Sequence, residues 1–416
     1  MNYLGIDFGT SGARAIAIDN TAQVTAETRC QYPSQEPDAE SWRQTLWTLI
    51  DQLPISIRQK IKAIAIDGTS ATVLLCDRNH IPLTHPLLYN DARSGLPTMV
   101  PPTSPAHSAT SSLAKALWWF NNLPSQTLAK AHYLVHQADW LSNLLHGKPG
   151  ISDYNNALKL GYDPQTLSYP DWLTALEIRP WLPEVIAPGA LISPIQPDVA
   201  QRFGIPTQCM IKTGTTDSIA AFLASGASGQ GDAVTSLGST LVLKLLSPIA
   251  INHAPSGIYS HRLGKQWLVG GASNTGGAVL SHYFSDLELQ SLSNLIDTTQ
   301  SSGLDYYPLL TTGERFPIND PQLTPKLTPR PDNPVRFLHG LLENMSAIEA
   351  LGYQKLTALG SGEVKRVYTA GGGAQNQTWQ SLRSQALGIP LVPSRHTEAA
   401  YGTACLAAGL VPFINH

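Results

Sequence analysis

Residues 3–18 read YLGIDFGTSGARAIAI. An apolar run ends in Asp7, a polar turn Gly9-Thr10-Ser11-Gly12 follows, and a second apolar run, Ala13 to Ile18, leaves it. This pattern predicts a strand, a tight turn and a strand, with a carboxylate at the tip of the first. Glycines let backbone N–H groups approach an anion closely, and Thr10 and Ser11 add hydroxyl donors. A carboxylate beside a phosphate-sized nest makes chemical sense when a divalent cation sits between them. Taken alone, the same residues also describe an ordinary hairpin with a Gly-rich turn.

The design recurs. Ala233 to Lys244, AVTSLGSTLVLK, is again apolar run, Gly/Ser/Thr turn, apolar run. An internal duplication of an α/β unit would set two such hairpins facing each other across a cleft. Residues 224–233, ASGASGQGDA, have linker composition, and the second half begins near Gly226. The expected domains are 1–228, joined by the closing segment 396–416, and 229–395.

Between the hairpins, Gln23–Arg29 predicts a third strand. Ala39 to Lys60 has helical spacing at Trp42, Leu46, Leu49, Ile50 and Leu53, with a break at Pro54. Ile61–Asp67 is a near-continuous apolar run of the kind found in buried parallel strands. Residues 71–77 predict another strand, and Leu113–Asn122 and Ala138–His146 predict helices. Strands alternating with helices argue for α/β layers. The Pro-rich stretches 97–105 and 164–197 read as loops crossing the surface.

Towards the C-terminus, Asn333 or Asp332 caps a long helix with Pro334 in its first turn. Its apolar stripe runs through Val335, Leu338, Leu342, Met345 and Leu351. A strand Val364–Thr369 runs into AGGGAQN (370–376). A helix through Trp379, a short strand Leu391–Pro393 and an Ala-rich helix Thr397–Leu410 complete the pattern.

The chain has 416 residues, 42% hydrophobic and 14% charged, with a net charge of -3. That is ample material for two or three cores and too little charge for disorder. No basic block suggests a nucleic-acid or membrane partner. The four cysteines are far apart and form no CxxC pair, so zinc and disulfide frameworks are not indicated and free buried thiols are expected. The chain opens on a strand with no charged-then-apolar leader, and runs such as Ile219–Leu223 are too short to span a bilayer. A soluble cytoplasmic protein, monomer or homodimer, is expected.

Four segments carry the chemistry. They are Asp7–Ser11; Gly214-Thr215-Thr216-Asp217-Ser218, which opens a helical pattern; Leu237–Thr240 with Asn274-Thr275-Gly276-Gly277; and Gly371–Gly373 with Asn376. Helix N-termini carry unpaired N–H groups and favour anions, so a nucleotide with three phosphates and a metal would use several such points. Asp217 alone would read as a first-turn charge. No GxxxxGK[ST], GxGxxG or GxSxG is present, so the Walker, dinucleotide and nucleophile-elbow readings lack support. His132 and His136, with Asp139 nearby, allow a metal site but better fit a strand entering a helix. Trp42, Trp47, Trp118 and Trp119 read as core and cleft walls, and Trp42 could also line a sugar site.

Taken in this order, the segments resemble the FGGY family of carbohydrate kinases, over nearly the whole chain. GIDFGTSGARA is similar to that family's first phosphate hairpin. Leu88–Arg93 (LYNDAR) is similar to its sugar-side W-N-D-x-R stretch, with Tyr89 at the usual Trp. Ser152–Ala157 (SDYNNA) resembles T-D-Y-S-N-A, and Gly214–Asp217 resembles the segment carrying the catalytic base. Gly238-Ser239-Thr240 resembles the second phosphate loop. Asp305–Pro308 with Gly313-Glu314-Arg315 resembles P-Y-L-x-G-E-R, Arg336–Leu342 the helix after it, and AGGGAQN the adenosine turn.

The resemblance implies an actin/hexokinase-like (ribonuclease H-like) α/β fold of two duplicated domains flanking a cleft, with ATP and Mg²⁺ as cofactors. It implies Asp217 as the base that takes the sugar hydroxyl proton, and Asp7 as the holder of Mg²⁺ with Asp217, partly through water. Gly9, Thr10, Ser11, Arg14, Gly238, Ser239, Thr240, Gly276 and Gly277 would serve the phosphates. Gly372, Gly373 and Asn376 would flank the adenosine. Asp7, Thr69, Ser70, Thr216 and Asp217 would meet the small-molecule sugar.

The chain has Asp67-Gly68-Thr69-Ser70 where xylulokinases usually carry Met-His-Gly and glycerol kinases Gln-Arg-Glu. That variant, the compact length and ALKLGYD (157–163) most resemble small xylulokinase-like D-ribulose kinases of cyanobacteria and plastids. The expected activity is phosphorylation of D-ribulose to the 5-phosphate. D-xylulose is the alternative, and a non-enzymatic sugar or nucleotide sensor or an actin-like ATPase are the rivals.

Overall fold

The computed structural model of the protein describes residues 1–32, 37–93, 95, 96 and 98–414. Pro97 and the last two residues of the closing segment lie outside them. Strands run β1 (Asn2–Phe8), β2 (Gly12–Ile18), β3 (Val24–Gln31), β4 (Ile61–Gly68), β5 (Val73–Cys76), β6 (Tyr133–His136), β7 (Ile151–Asp153), β8 (Glu184–Ile186), β9 (Leu191–Pro194) and β10 (Met210–Lys212). Then come β11 (Asp232–Leu237), β12 (Leu241–Ser247), β13 (Tyr259–Leu263), β14 (Gln266–Ser273), β15 (Arg366–Ala370) and β16 (Leu391–Pro393). Helices are α1 (Ala39–Gln52), α2 (Ile55–Arg58), α3 (Ser112–Asn122), α4 (Ser125–Leu128), α5 (Gln137–His146), α6 (Asp171–Thr174), α7 (Pro197–Phe203), α8 (Asp217–Ala224), α9 (Gly277–Tyr283), α10 (Asp286–Ser293), α11 (Pro334–Ala358), α12 (Gln377–Leu387) and α13 (Ala399–Ala408).

The chain divides into two compact units. The first comprises Met1–Ala224, Arg262–Gly264 and Glu398–His416; the second comprises Ser225–His261 and Lys265–Thr397. In the first, six strands lie in the order β3-β2-β1-β4-β10-β9. β1 pairs antiparallel with β2 and parallel with β4, and β10 continues parallel to β4. The second sheet has the order β13-β14-β12-β11-β15-β16, with β11 antiparallel to β12 and parallel to β15. Each sheet therefore grows from a hairpin whose first strand takes a parallel neighbour on its other side.

Local sequence explains the elements. Asp38 caps α1 by accepting from Ser41 N, and Trp42, Leu46, Leu49 and Ile50 on its inner face are fully buried. Each such side chain contributes about 1.5–3 kcal/mol by leaving water. Trp42 thus belongs to the core and does not line a sugar site: the apolar face that carries it is turned onto the sheet. Asn333, not Asp332, caps α11, its side chain accepting from Val335 N and Arg336 N.

One expectation changes, and the linker segment proves ordered while still carrying the boundary between the units at Ala224 and Ser225. The stretch 164–197 is not a bare surface loop: it holds α6, β8 and the edge strand β9, and buries Leu173, Ile178 and Trp181. Proline is compatible with edge strands and first helical turns, so Pro content alone misled. The segment with linker composition is ordered by Asp232, whose Oδ2 accepts from Ser228 N and Gly229 N at 2.9 and 2.8 Å. Among the described residues, no helix is long and apolar enough to cross a membrane.

Candidate active site

The parallel register of β1 and β4 sets Asp7 opposite Asp67 and Phe8 opposite Gly68. Gly214 follows β10, and a Cβ there would stand 1.6 Å from the Ile66 carbonyl oxygen. Only glycine lets the chain cross β4 so closely. The crossing brings Thr216 into a bridge with Gly68, and Asp217 then opens α8. Three carboxyls gather at one end of this sheet.

Their electrostatics are coupled. Burial pushes Asp7 up to about 6; a hydrogen bond with Asp67 opposes this, while the charges of Asp217 and Glu398 add to it. Burial, then the Asp7 charge, push Asp67 well above the usual carboxylate range. The Thr403 hydroxyl, on α13, donates to Asp67 Oδ2 and works against that rise. Asp217 Oδ1 accepts from Ser218 N at 2.7 Å.

Asp7 and Asp67 are hydrogen-bonded to each other and so share a proton; Thr216 Oγ1 and Asn155 Oδ1 are buried without a partner. Asn155 is tied to the same place by its Nδ2, which donates to Thr215 Oγ1 at 3.1 Å. A buried polar atom without a partner costs about 1–3 kcal/mol. Two of them beside the paired carboxyls leave polar groups that a polar ligand would satisfy. Concentrated carboxylates with unmet lone pairs also suit a hydrated divalent cation. Among the described residues no group of three or more His, Cys, Asp and Glu is placed to hold a metal ion directly.

The other expected residues fall out unevenly. The Gly9–Gly12 turn closes with Gly9 N donating to Gly12 O at 3.0 Å, and Thr10 and Ser11 stand exposed at its tip. The Arg14 guanidinium is committed to Glu27, at 3.4 Å, and to Glu398. Thr72 N donates to Thr69 O at 3.2 Å, closing a turn over residues 69–72 with Ala71 at φ +65°. A left-handed alanine is strained by roughly 1–2 kcal/mol. The Thr69 hydroxyl lies 3.0 Å from Gln137 Oε1 and 2.6 Å from Thr72 Oγ1, so it is engaged inside the protein. Ser70 beside it is half-buried.

In the second unit, Gly238, Ser239 and Thr240 form the β11–β12 turn. Gly276 has φ +140°, and a Cβ on it would lie 2.7 Å from the Thr240 carbonyl carbon. That approach lets Gly277 N donate to Gly238 O at 2.8 Å and Ala278 N to Ser239 O at 3.0 Å. The Gly277 N–H is thereby used within the protein, while Thr275 Oγ1 is buried without a partner. Gly372 is exposed, and Gly373 packs on Trp379 and Leu237. Asn376 caps α12 through Trp379 N at 2.9 Å and donates to Ser293 Oγ at 2.9 Å.

His136 is fully buried, with Nδ1 3.1 Å from Asp139 Oδ2 and 3.3 Å from Ser152 Oγ, and β6 runs through it into α5. Asn155 lies in the SDYNNA motif (152–157) without having been assigned a role, and Thr403 and Glu398 joined the site without any sequence expectation. For Asp67 a signal existed: it ends β4 as Asp7 ends β1, and adjacent parallel strands ending alike place their last side chains together.

Residues 2–224 match the family model described as FGGY family of carbohydrate kinases, N-terminal domain, and residues 233–410 match the C-terminal domain of that family. The chain is 23% identical to a gluconokinase of Bacillus subtilis (strain 168), over 97% of this chain and 86% of that protein. It is 23% identical to a xylulose kinase of Escherichia coli (strain K12), over 94% of this chain and 85% of that one. Among solved structures, a xyloylose kinase from Brucella ovis superposes with a TM-score of 0.85 at 21% identity, covering 98% of this chain and 90% of that one. Plasmodium falciparum glycerol kinase with ADP gives 0.85 at 16% identity, covering 100% and 90%. These structures share the fold: two α/β domains of the actin/hexokinase type.

Proposed function

Because the chain belongs to the FGGY family of carbohydrate kinases, we propose that this sugar kinase transfers the γ-phosphate of ATP to a ketopentose, D-ribulose before D-xylulose, giving the 5-phosphate. The observation that carries the reading is the gathering of the Asp7, Asp67 and Asp217 carboxyls beside the unpartnered buried oxygens of Thr216 and Asn155. A polyhydroxylated substrate supplies the donors they lack. D-ribulose comes first because Asp67-Gly68-Thr69-Ser70, the compact length and ALKLGYD (157–163) resemble the small D-ribulose kinases. D-xylulose remains the second reading, since several relatives bear the name xylulose kinase.

Asp217 accepts the proton of the attacking hydroxyl, held by the Ser218 N–H at 2.7 Å. Asp7, with Asp217, would hold Mg²⁺, partly through water, and such an ion would supply neutralisation of charge on the phosphate oxygens. Thr10 and Ser11 of the first hairpin, and the turns at Gly238–Thr240 and Gly371–Gly373, provide hydroxyl and backbone donors to the nucleotide. Arg14, held by Glu27 and Glu398, orders the hairpin base instead of reaching phosphate. Cys30, Cys76, Cys209 and Cys405 form no disulfide, which suits a reducing compartment.

The test is ATP-dependent phosphorylation across ketopentoses, aldoses and polyols, followed by coupled ADP release. Asp217→Ala lowers turnover by about 10²–10⁴-fold while nucleotide binding survives. Undiminished turnover in that variant removes the base assignment. ADP release that no sugar raises removes the kinase reading in favour of a sensor or ATPase.

A further inference from the structure

The turn after β4 is held from two sides by residues distant in sequence. On one side Gln137, which opens α5, accepts from Thr69 N at 3.0 Å through its Oε1, and its own N–H donates to Thr72 O at 3.0 Å. On the other side is Lys115 of α3, with no exposed surface at all. Its Nζ donates to Ala71 O at 2.7 Å and to Leu88 O at 2.6 Å. Lysine is almost never fully buried, because its ammonium must find replacements for water. Here the replacements are two backbone carbonyls from separate segments.

Both segments lie on the sugar side of the proposed site. Ala71 is the left-handed residue of the Thr69–Thr72 turn, a conformation that persists only where its surroundings over-determine it. Leu88 starts a second turn: Leu88 N donates to Asp91 Oδ2 at 2.6 Å, and Asp91 N to Leu88 O at 3.0 Å. Arg93 Nη2 reaches Asp91 Oδ1 at 3.3 Å, and the guanidinium stacks 4.8 Å over Trp118 of α3. α3 therefore holds both turns, one through Lys115 and the other through Lys115 and Trp118.

We propose that Lys115 is a positioning residue for the sugar: its ammonium ties the Ala71 carbonyl to the Leu88 carbonyl and so sets Ser70 towards the substrate, which Lys115 itself never touches. The inference rests on the reading of Thr69–Ser70 as sugar-side and extends it to a residue that no motif assigns a role. Without the ammonium the Ala71 carbonyl loses its anchor, and the strained turn relaxes and carries Ser70 with it. Nucleotide contacts are on other segments and are unaffected.

The experiment measures kcat, KM for the preferred ketopentose, KM for ATP and sugar-independent ATP hydrolysis in full-length Lys115→Met, Ser70→Ala and the double variant, with folding checked by circular dichroism. Lys115→Met is expected to raise the sugar KM by about tenfold, equivalent to ~1.4 kcal/mol, with the ATP KM and the sugar-independent rate unchanged. Ser70→Ala raises the sugar KM by itself and adds little in the Lys115→Met background, because the two act through one element. Fully additive effects, or equal losses in both KM values, overturn the positioning role. A normal sugar KM in Ser70→Ala overturns the sugar-side reading and the proposal with it; a raised one beside a normal Lys115→Met overturns Lys115 alone. If Lys115→Met does not fold, Lys115→Leu replaces it, which likewise removes the donor to the Ala71 and Leu88 carbonyls. A folded Lys115→Leu with unchanged sugar KM also overturns the proposal.

Discussion

Glu349 and Arg383 meet inside the second unit with exposures of 1% and 0%. Arg383 Nε lies 2.6 Å from Glu349 Oε2 and Nη2 2.8 Å from Oε1, a bidentate pair, while Nη1 donates to Thr369 Oγ1 at 2.9 Å. The Thr235 hydroxyl donates to Glu349 Oε1 at 2.5 Å. One ion pair thus ties α11, α12, β15 and β11, and the last two strands lead into the Gly371 and Gly238 turns. Arg383→Met leaves a carboxylate in the core with a single hydroxyl donor, and breaking a buried pair in this way costs about 3–5 kcal/mol. At roughly 2–4 °C per kcal/mol for a unit of this size, the unfolding midpoint falls by ~6–20 °C. The double variant Arg383→Met with Glu349→Leu removes both charges and is expected to be more stable than Arg383→Met alone. Thermal and urea unfolding of wild type, both single variants and the double variant complete the cycle. If the single variants stay within ~1 kcal/mol of wild type, or if the double variant loses the sum of the two, the pair is not the coupled unit described.

Burial, and then the charge of Asp139, raise Asp153 from 3.8 to about 7, against the Asn156 amide and the backbone N–H groups of Asn155 and Asn156. The folded state keeps this proton longer than the unfolded one, so the contribution is whole below pH 3.8 and is lost as pH rises to about 7. Asp153→Asn should therefore gain stability relative to wild type across that window, by up to ~1.4 kcal/mol per pH unit in urea titrations; a difference that stays flat with pH contradicts this. A Cβ at Gly5 would stand 2.1 Å from Ala400 O and Ala404 N. Gly5→Ala must displace α13, costing ~1–3 kcal/mol and lowering turnover, since Asp7 follows on β1 and Thr403 of α13 holds Asp67; wild-type melting and turnover would refute it. EDTA should abolish phosphorylation and Mg²⁺ restore it, with melting of the free protein unchanged, because no enclosed metal cluster exists among the described residues; a large drop in melting temperature would point to a structural ion.

Much of the architecture was legible because it is written in short-range order. The hairpins at Asp7 and Gly238, the α1 stripe and the proline-started α11 each depend on residues within a few turns of one another. The linker composition at 224–233 marks the passage from the first unit to the second at Ala224 and Ser225. The proline content at 164–197 misled, because whether such a stretch is ordered depends on what packs on it, here the buried Leu173 and Trp181.

Candidate site residues were legible as types and not as partners. Motif order singled out Asp7, Thr69, Asp217, Gly277 and Asn376. Folding then gave Thr69 to Gln137, Gly277 to Gly238 and Asn376 to the start of α12, leaving Thr216 Oγ1 buried without a partner next to Asp217.

From its residue order alone the chain announces two α/β units, each built on a hairpin, and a carboxylate at the tip of the first. Hydrophobic period and turn chemistry act locally, so they can be read in one dimension. The company that carboxylate keeps could not be read so: Asp67 comes beside it through the parallel register of β1 and β4, and Thr403 arrives from 336 residues beyond Asp67. Sheet register and helix packing answer to the whole core at once, and no window of sequence contains them.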